Sequence, residues 1–240
     1  CYLNPDYETK IVEDEIGLDV NSLHPSSMYY KTMPCGNPMY YTGKYKYDKG
    51  YPLYVQRISC SFDLKDNMLP CIQLKNSVFF KSHEWLSTSN GRIVELTLTN
   101  IDLDLFLEHY DTYYLEYIDG YKFMGIDNVF CNYIDYWMNL KIEGKKNGNE
   151  VQKLSAKLML NSLYGKFGTG KVTYSKIPCL ENDEIVYHLG DRQEGEGVYV
   201  PVASFITSYS RDKTIRTAQN IVNYSIEKYG YSKYIYSDTD

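Results

Sequence analysis

KLSAKLMLNSLYGKF, residues 153–167, is the stretch on which the reading of this chain turns. Leu, Ala, Lys and Met are strong helix formers, and nothing between Lys153 and Tyr164 breaks a helix. The stretch therefore predicts a helix over those residues, stopped by Gly165 at C′. At about 100° per residue, Lys153, Lys157, Asn161 and Tyr164 fall at roughly 0°, 40°, 80° and 20° around its axis. Two ammonium groups, an amide and a phenol share one stripe. The other flanks are mostly Leu, Met and Ala, which predicts extensive burial. Two readings fit: a core helix with a solvated lysine face, or a helix whose lysines meet a polyanion while Tyr164 stacks on a base.

Around this helix the chain is basic. Between Lys141 and Lys176 eight lysines stand against Glu143 and Glu150, a local +6 in a protein of net charge −6. That overall balance speaks against a protein that simply coats DNA. With 240 residues, 43% of them hydrophobic, the chain can bury one large core or two smaller ones. No apolar run approaches the length of a membrane span. Six cysteines are scattered without C-x-x-C spacing, which argues against a zinc or redox motif and fits a reducing cytoplasm. The chain starts at Cys1 and ends at Asp240 in mid-motif, so it reads as a piece of a longer protein.

Outward from the helix, the pattern alternates between helix and strand. Ile16–Val20 predicts a short buried strand carrying Asp19, followed by turn-forming Asn21 and Ser22 and a helix with Pro25 in its first turn. A carboxylate buried there needs a partner. Arg57–Leu64 and Val94–Leu98 alternate as half-buried strands, with Pro70–Leu74 a weaker third. Thr99 or Asn100 can cap a helix with Leu103, Phe106, Leu107 and Tyr110 on one face. Tyr113–Ile118 is extended. A second amphipathic helix carries Phe130, Tyr133, Ile134, Trp137 and Met138, with Lys141 in its last turn, and GKKNGN (144–149) is a flexible connection. Weak strands lie near Val172–Ile177 and Ile185–Leu189. A long helix after Pro201 buries Ile215, Ala218, Val222 and Ile226 and stops at Gly230. Lys233–Ser237 is a strand running into Asp-Thr-Asp. The order predicts an α+β architecture.

Asp19, the lysine helix and YSDTD (236–240) form the chemically telling set. On an extended strand Asp238 and Asp240 point to the same side. Carboxylates converging from distant segments suit a pair of divalent ions about 3.5–4 Å apart.

DVNSLHPSSMY, KLMLNSLYGKF and YSDTD, in this order, resemble motifs A, B and C of family B DNA polymerases, and within them the protein-primed enzymes of small tailed bacteriophages. KYKYDKGYPLYVQRISCSFDL and LTNIDLDLFLEHYD resemble the same subfamily. The resemblance implies a polymerase palm with an antiparallel sheet, helical fingers and two insertions. Residues 1–71 and 201–240 would be palm and 129–169 fingers. Residues 72–128 would contact a terminal protein and duplex DNA, and 170–200 would close around template and product, favouring processivity and strand displacement. No exonuclease or thumb is visible.

The resemblance also implies roles. Asp19 and Asp240 would ligate Mg²⁺, two ions with Mn²⁺ able to substitute, and the Val20 carbonyl would add a ligand. Asp238 would support the site. Lys153 and Lys157 would contact the incoming triphosphate. Lys141 matches a further basic position, four residues upstream of the phage-type spacing. Asn161 and Tyr164 would frame the nascent base pair, and Gly165 would let the backbone approach DNA. The implied reaction is attack of a primer 3′-hydroxyl, or of a terminal-protein hydroxyl, on the α-phosphorus of a deoxynucleoside triphosphate, with release of pyrophosphate, in viral replication in the cytoplasm of a bacterial host. His24 stands where the family has tyrosine, which bears on sugar selection. Two other readings compete: an inert nucleic-acid-binding relative, which has no need of three carboxylates facing phosphates, and a reverse transcriptase, which has adjacent paired aspartates unlike YSDTD.

Overall fold

The computed structural model describes residues 2–237. In chain order the elements are β1 (Tyr2–Leu3), a 3-10 turn (Pro5–Tyr7), α1 (Leu23–Tyr30), β2 (Met33–Thr42), β3 (Leu53–Leu64), β4 (Val94–Thr99), α2 (Asn100–His109), β5 (Tyr110–Ile126), α3 (Cys131–Lys146), α4 (Glu150–Phe167), β6 (Val172–Glu181), β7 (Glu184–Glu194), α5 (Val200–Tyr229) and β8 (Tyr236–Ser237). The α+β class read from the sequence is the class observed. The chain divides into two units, one drawn from residues 1–134 and 205–240, the other from 135–204.

In the first unit β2, β5, β3 and β4 form an antiparallel sheet in that order. The alternation of β3 sends Ile58, Cys60 and Phe62 into the core, where they meet Leu96 of β4 and Leu103 and Phe106 of α2. The rings of Phe62, Phe106 and Tyr110 pack with centroids 5.0–5.3 Å apart, contacts worth about 1 kcal/mol each beyond burial. Thr99 caps α2 by accepting a hydrogen bond from the Asp102 amide at 3.2 Å, as its sequence predicts. The buried Asp102 carboxylate accepts in turn from Thr99, Ser208 and the Arg211 guanidinium. That network fastens α5 to α2. Gln56, fully buried in β3, donates to the carbonyls of Gly43 and Asp119 and accepts from the Tyr45 amide. Its neighbour Gly120 is obligatory, because a Cβ there would sit 2.1 Å from the Val55 carbonyl oxygen.

The remaining part of this unit follows the expected helix. Ala218 and Val222 of α5 pack with Leu69 and Tyr234, flanked by Ile226, and Ile215 packs on the main core. Gly230 ends the helix at φ +78°.

Two expected strands are absent. Residues 16–20 form no ladder, and Ile16 and Leu18 are 88% and 73% exposed. A short apolar run becomes a strand only where a partner strand satisfies its backbone, and none of the described residues pairs with it. Pro70–Leu74 is buried at its start but also unladdered. Its backbone is met individually instead: the Cys71 amide donates to the Tyr110 hydroxyl, and the Ile72 carbonyl accepts from the Leu86 amide. Lys233–Ser237 shortens to β8, paired with β1.

In the second unit α3 runs five residues beyond Lys141, so Lys141 lies within the helix and not in its last turn. The connection to α4 is correspondingly tight: Asn147 and Gly148 turn, and Asn149 caps α4 by accepting from the Gln152 amide at 3.1 Å. Gly144 is buried where the helices cross, and a Cβ on it would lie 2.8 Å from the Lys153 nitrogen. β6 and β7 form an isolated antiparallel hairpin, turned at Asn182 and Asp183 with φ of +50° and +64°, the geometry of a two-residue hairpin loop.

Candidate active site

Asp19 and Val20 lie just before a tight turn at Asn21 and Ser22, where Ser22 takes φ +54° and starts α1. Asp19 is exposed, not buried as its apolar neighbours suggested, so burial creates no demand for a partner. Five residues further, half-buried His24 sits in the first turn of α1, with Nδ1 3.0 Å from Ser210 Oγ on α5. On the next turns of the same helices is a polar pocket of about 280 Å³, lined by Ser26, Tyr30, Lys31, Lys213 and Arg216 among others. Arg216 is already met by Asp212 at 2.6 Å and Glu108 at 2.7 Å, while Lys31 and Lys213 leave the lining positive. Burial pushes the neighbouring Tyr209 phenol up to about 12, leaving it a hydrogen-bond donor to the Thr32 carbonyl at 3.0 Å.

The chain enters the third motif along β8. The Asn4 amide side chain donates to the Tyr234 carbonyl and Tyr7 donates to the Ser232 carbonyl, which ties the N-terminal segment to this approach. Asp238 and Asp240, and with them the expected same-side placement, lie outside the described residues. Among the described residues no group of three His, Cys, Asp or Glu is placed to hold a metal ion.

The second unit carries the remaining candidates. α4 is regular through Phe167, so Lys153, Lys157, Asn161 and Tyr164 do occupy one stripe. Lys157 and Asn161 are exposed, whereas Lys153, Tyr164 and Lys141 of α3 are half-buried. Lys153 is held by Glu150 at 3.0 Å, one turn earlier. The sequence contains this signal as an acid three residues before a lysine on a helix.

Two expectations about α4 fail. Gly165 does not stop the helix; it lies inside, and Gly168 ends it through bonds back to Gly165 and Lys166. The burial expected for the apolar flanks is confined to Ala156 and Leu160, while Leu154 and Leu158 are 59% and 67% exposed. An amphipathic pattern records which residues can be buried, and tertiary neighbours decide which of them are. Space beside Gly165 is open: a Cβ there would meet nothing within 4 Å. Gly144 and Ser210, which lie against Lys153 and His24, escaped the sequence reading because neither belongs to a recognisable motif.

Comparison with known proteins follows the same residues. The family model "DNA polymerase type B, organellar and viral" matches residues 1–239. The DNA polymerase of Bacillus phage Nf is 43% identical over 100% of this chain, and that of Streptococcus phage Cp-1 is 36% identical over 92%. The structure of phi29 DNA polymerase complexed with primer-template DNA and incoming nucleotide substrates superposes with a TM-score of 0.82 at 40% identity, again over 100% of this chain. The chain spans about 40% of the length of these phage relatives. No described helix is long and apolar enough to cross a membrane. On the ordered motifs, the matched family model and the shared fold, the chain belongs to the organellar and viral type B DNA polymerases.

Proposed function

We propose that this chain is the nucleotide-adding core of a protein-primed DNA polymerase, extending a DNA primer or a terminal-protein hydroxyl on a DNA template in the cytoplasm of a bacterial host. The observation that carries the reading is similarity along the whole of this chain, at 40% identity and over 40% of the other chain, to a polymerase captured with primer-template DNA and nucleotides. Residues 1–71 and 201–240 would serve as palm, 129–169 as fingers, 72–128 as the terminal-protein and duplex contact and 170–200 as the strand-displacing arm. The first excursion shares its sheet with the palm, since β3 precedes residue 72 and β4 and β5 follow it.

Asp19, the Val20 carbonyl and Asp240 would hold Mg²⁺, with Asp238 supporting them. Carboxylate and carbonyl oxygens without thiolate or imidazole are a donor set suited to this hard cation. When bound, two such ions supply charge neutralisation at the α-phosphate and activation of the attacking hydroxyl. The chain's own part is positioning. Lys153 and Lys157 lie one turn apart on α4, where both would meet the triphosphate, and Lys141 adds positive charge. Lys153 arrives already oriented by Glu150. Asn161 and Tyr164 bound the base pair, and the open flank of Gly165 admits a nucleic-acid backbone.

The test is extension of a labelled primer by the complete polymerase that carries this chain, with Mg²⁺ and deoxynucleotides. The reading predicts incorporation that EDTA abolishes and Mg²⁺ restores. An inert DNA-binding relative would retain the primer without extending it.

A further inference from the structure

The His24 ring is held by a directed chain of hydroxyls, and we infer that Ser210 is a positioning residue that fixes its orientation and tautomer for sugar selection. The inference rests on the proposed polymerase function, in which His24 takes the place of the family's tyrosine beside the nucleotide sugar. Ser27 Oγ lies 3.2 Å from the Leu23 carbonyl oxygen, an atom that can only accept, so Ser27 spends its single proton there. Ser27 Oγ, 3.1 Å from Ser210 Oγ, must then accept the Ser210 proton. With that proton committed, Ser210 can only accept from His24 Nδ1 at 3.0 Å. The chain therefore runs from His24 Nδ1–H through Ser210 and Ser27 to the Leu23 carbonyl, and it assigns the proton to Nδ1.

The anchors are firm. Ser210 and Ser27 are 2% and 5% exposed. Ser210 stands on α5, one residue from Arg211, which the Asp102 network locks to α2. An element other than its own thus sets the angle of the ring. This matters because imidazole fills less space than phenol. A short ring excludes a 2′-hydroxyl only where it is kept in one orientation, and an unpinned ring can swing aside.

The experiment measures kcat/KM for deoxy- and ribonucleotides in the polymerase-active protein carrying Ser210→Ala, Ser210→Thr, His24→Phe, or His24→Phe with Ser210→Ala. Loss of one hydrogen bond should lower the deoxy-to-ribo ratio about three- to tenfold in Ser210→Ala, through a lower ribonucleotide KM. Ser210→Thr, which keeps the oxygen, should restore the ratio to within about twofold. In the His24→Phe background, which lacks the ring nitrogen, Ser210→Ala should change the ratio no further. An equal loss in both backgrounds would mean that Ser210 acts through helix packing, overturning the inference. A ratio moved by His24→Phe but not by Ser210→Ala would overturn it while keeping His24 at the sugar. A ratio indifferent to every variant would remove His24 from the sugar as well.

Discussion

His109 illustrates how a single buried group ties this fold to pH. It is almost fully buried at the end of α2, with Nδ1 2.7 Å from the Leu69 carbonyl, to which the neutral ring donates. Burial holds its pKa below the usual histidine value. The unfolded chain therefore binds a proton that the folded chain resists, and folding should weaken as pH falls below about 6.5. Above that value the contribution is fully present. Thermal midpoints measured from pH 7.5 to 5 should fall, and His109→Gln should flatten part of the slope; parallel slopes in both proteins would remove His109 from the account. At the same scale, Lys157 is exposed on the α4 stripe and, on the proposed function, should act through the triphosphate. Lys157→Ala is expected to raise nucleotide KM about tenfold, with a smaller effect on duplex affinity. Equal losses would place Lys157 on the DNA backbone.

The elements differ in how firmly they are built. β3 and β5 share the longest ladder and carry the core, whereas β6 and β7 pair only with each other and expose both faces. Two-stranded hairpins are marginal on their own, so amides of 172–194 should exchange with solvent well before those of β3. Replacing that hairpin with a short Gly linker should spare extension on single-stranded template and reduce copying through duplex. Unchanged strand displacement would reduce it to a surface feature. Elements with a strong local signature were legible in the sequence: the Thr99 cap, the alternation of β3, the 3.6-residue period of α5 and its Gly230 stop. Those settled by a distant partner were not. Ile16–Val20 has a strand's composition but no ladder, and Pro70–Leu74 has its backbone satisfied by Tyr110 and Leu86. Gly165 carries the residue type of a helix stop, yet capping three residues later prevails.

Across the whole molecule, the candidate residues come from segments far apart in sequence and from both units. Asp19, Val20 and His24 belong to one unit, and Lys141, Lys153, Lys157, Asn161, Tyr164 and Gly165 to the other. The motifs were readable because their chemistry is concentrated in short strings. The side chains that contact them were not, because Ser210 and His24 are 186 positions apart and Glu150 is an unremarkable acid until α4 forms around it. The central claim is that Asp19 serves phosphoryl transfer and not the fold, to which an exposed, unladdered carboxylate contributes little. The most direct measurement is the single-turnover rate of nucleotide incorporation by Asp19→Asn beside wild type, with primer-template affinity determined on the same preparations. The account predicts a loss of about a thousandfold in rate, the scale of removing a metal ligand, with affinity held within about threefold by phosphate contacts made elsewhere. An incorporation rate within tenfold of wild type would contradict it.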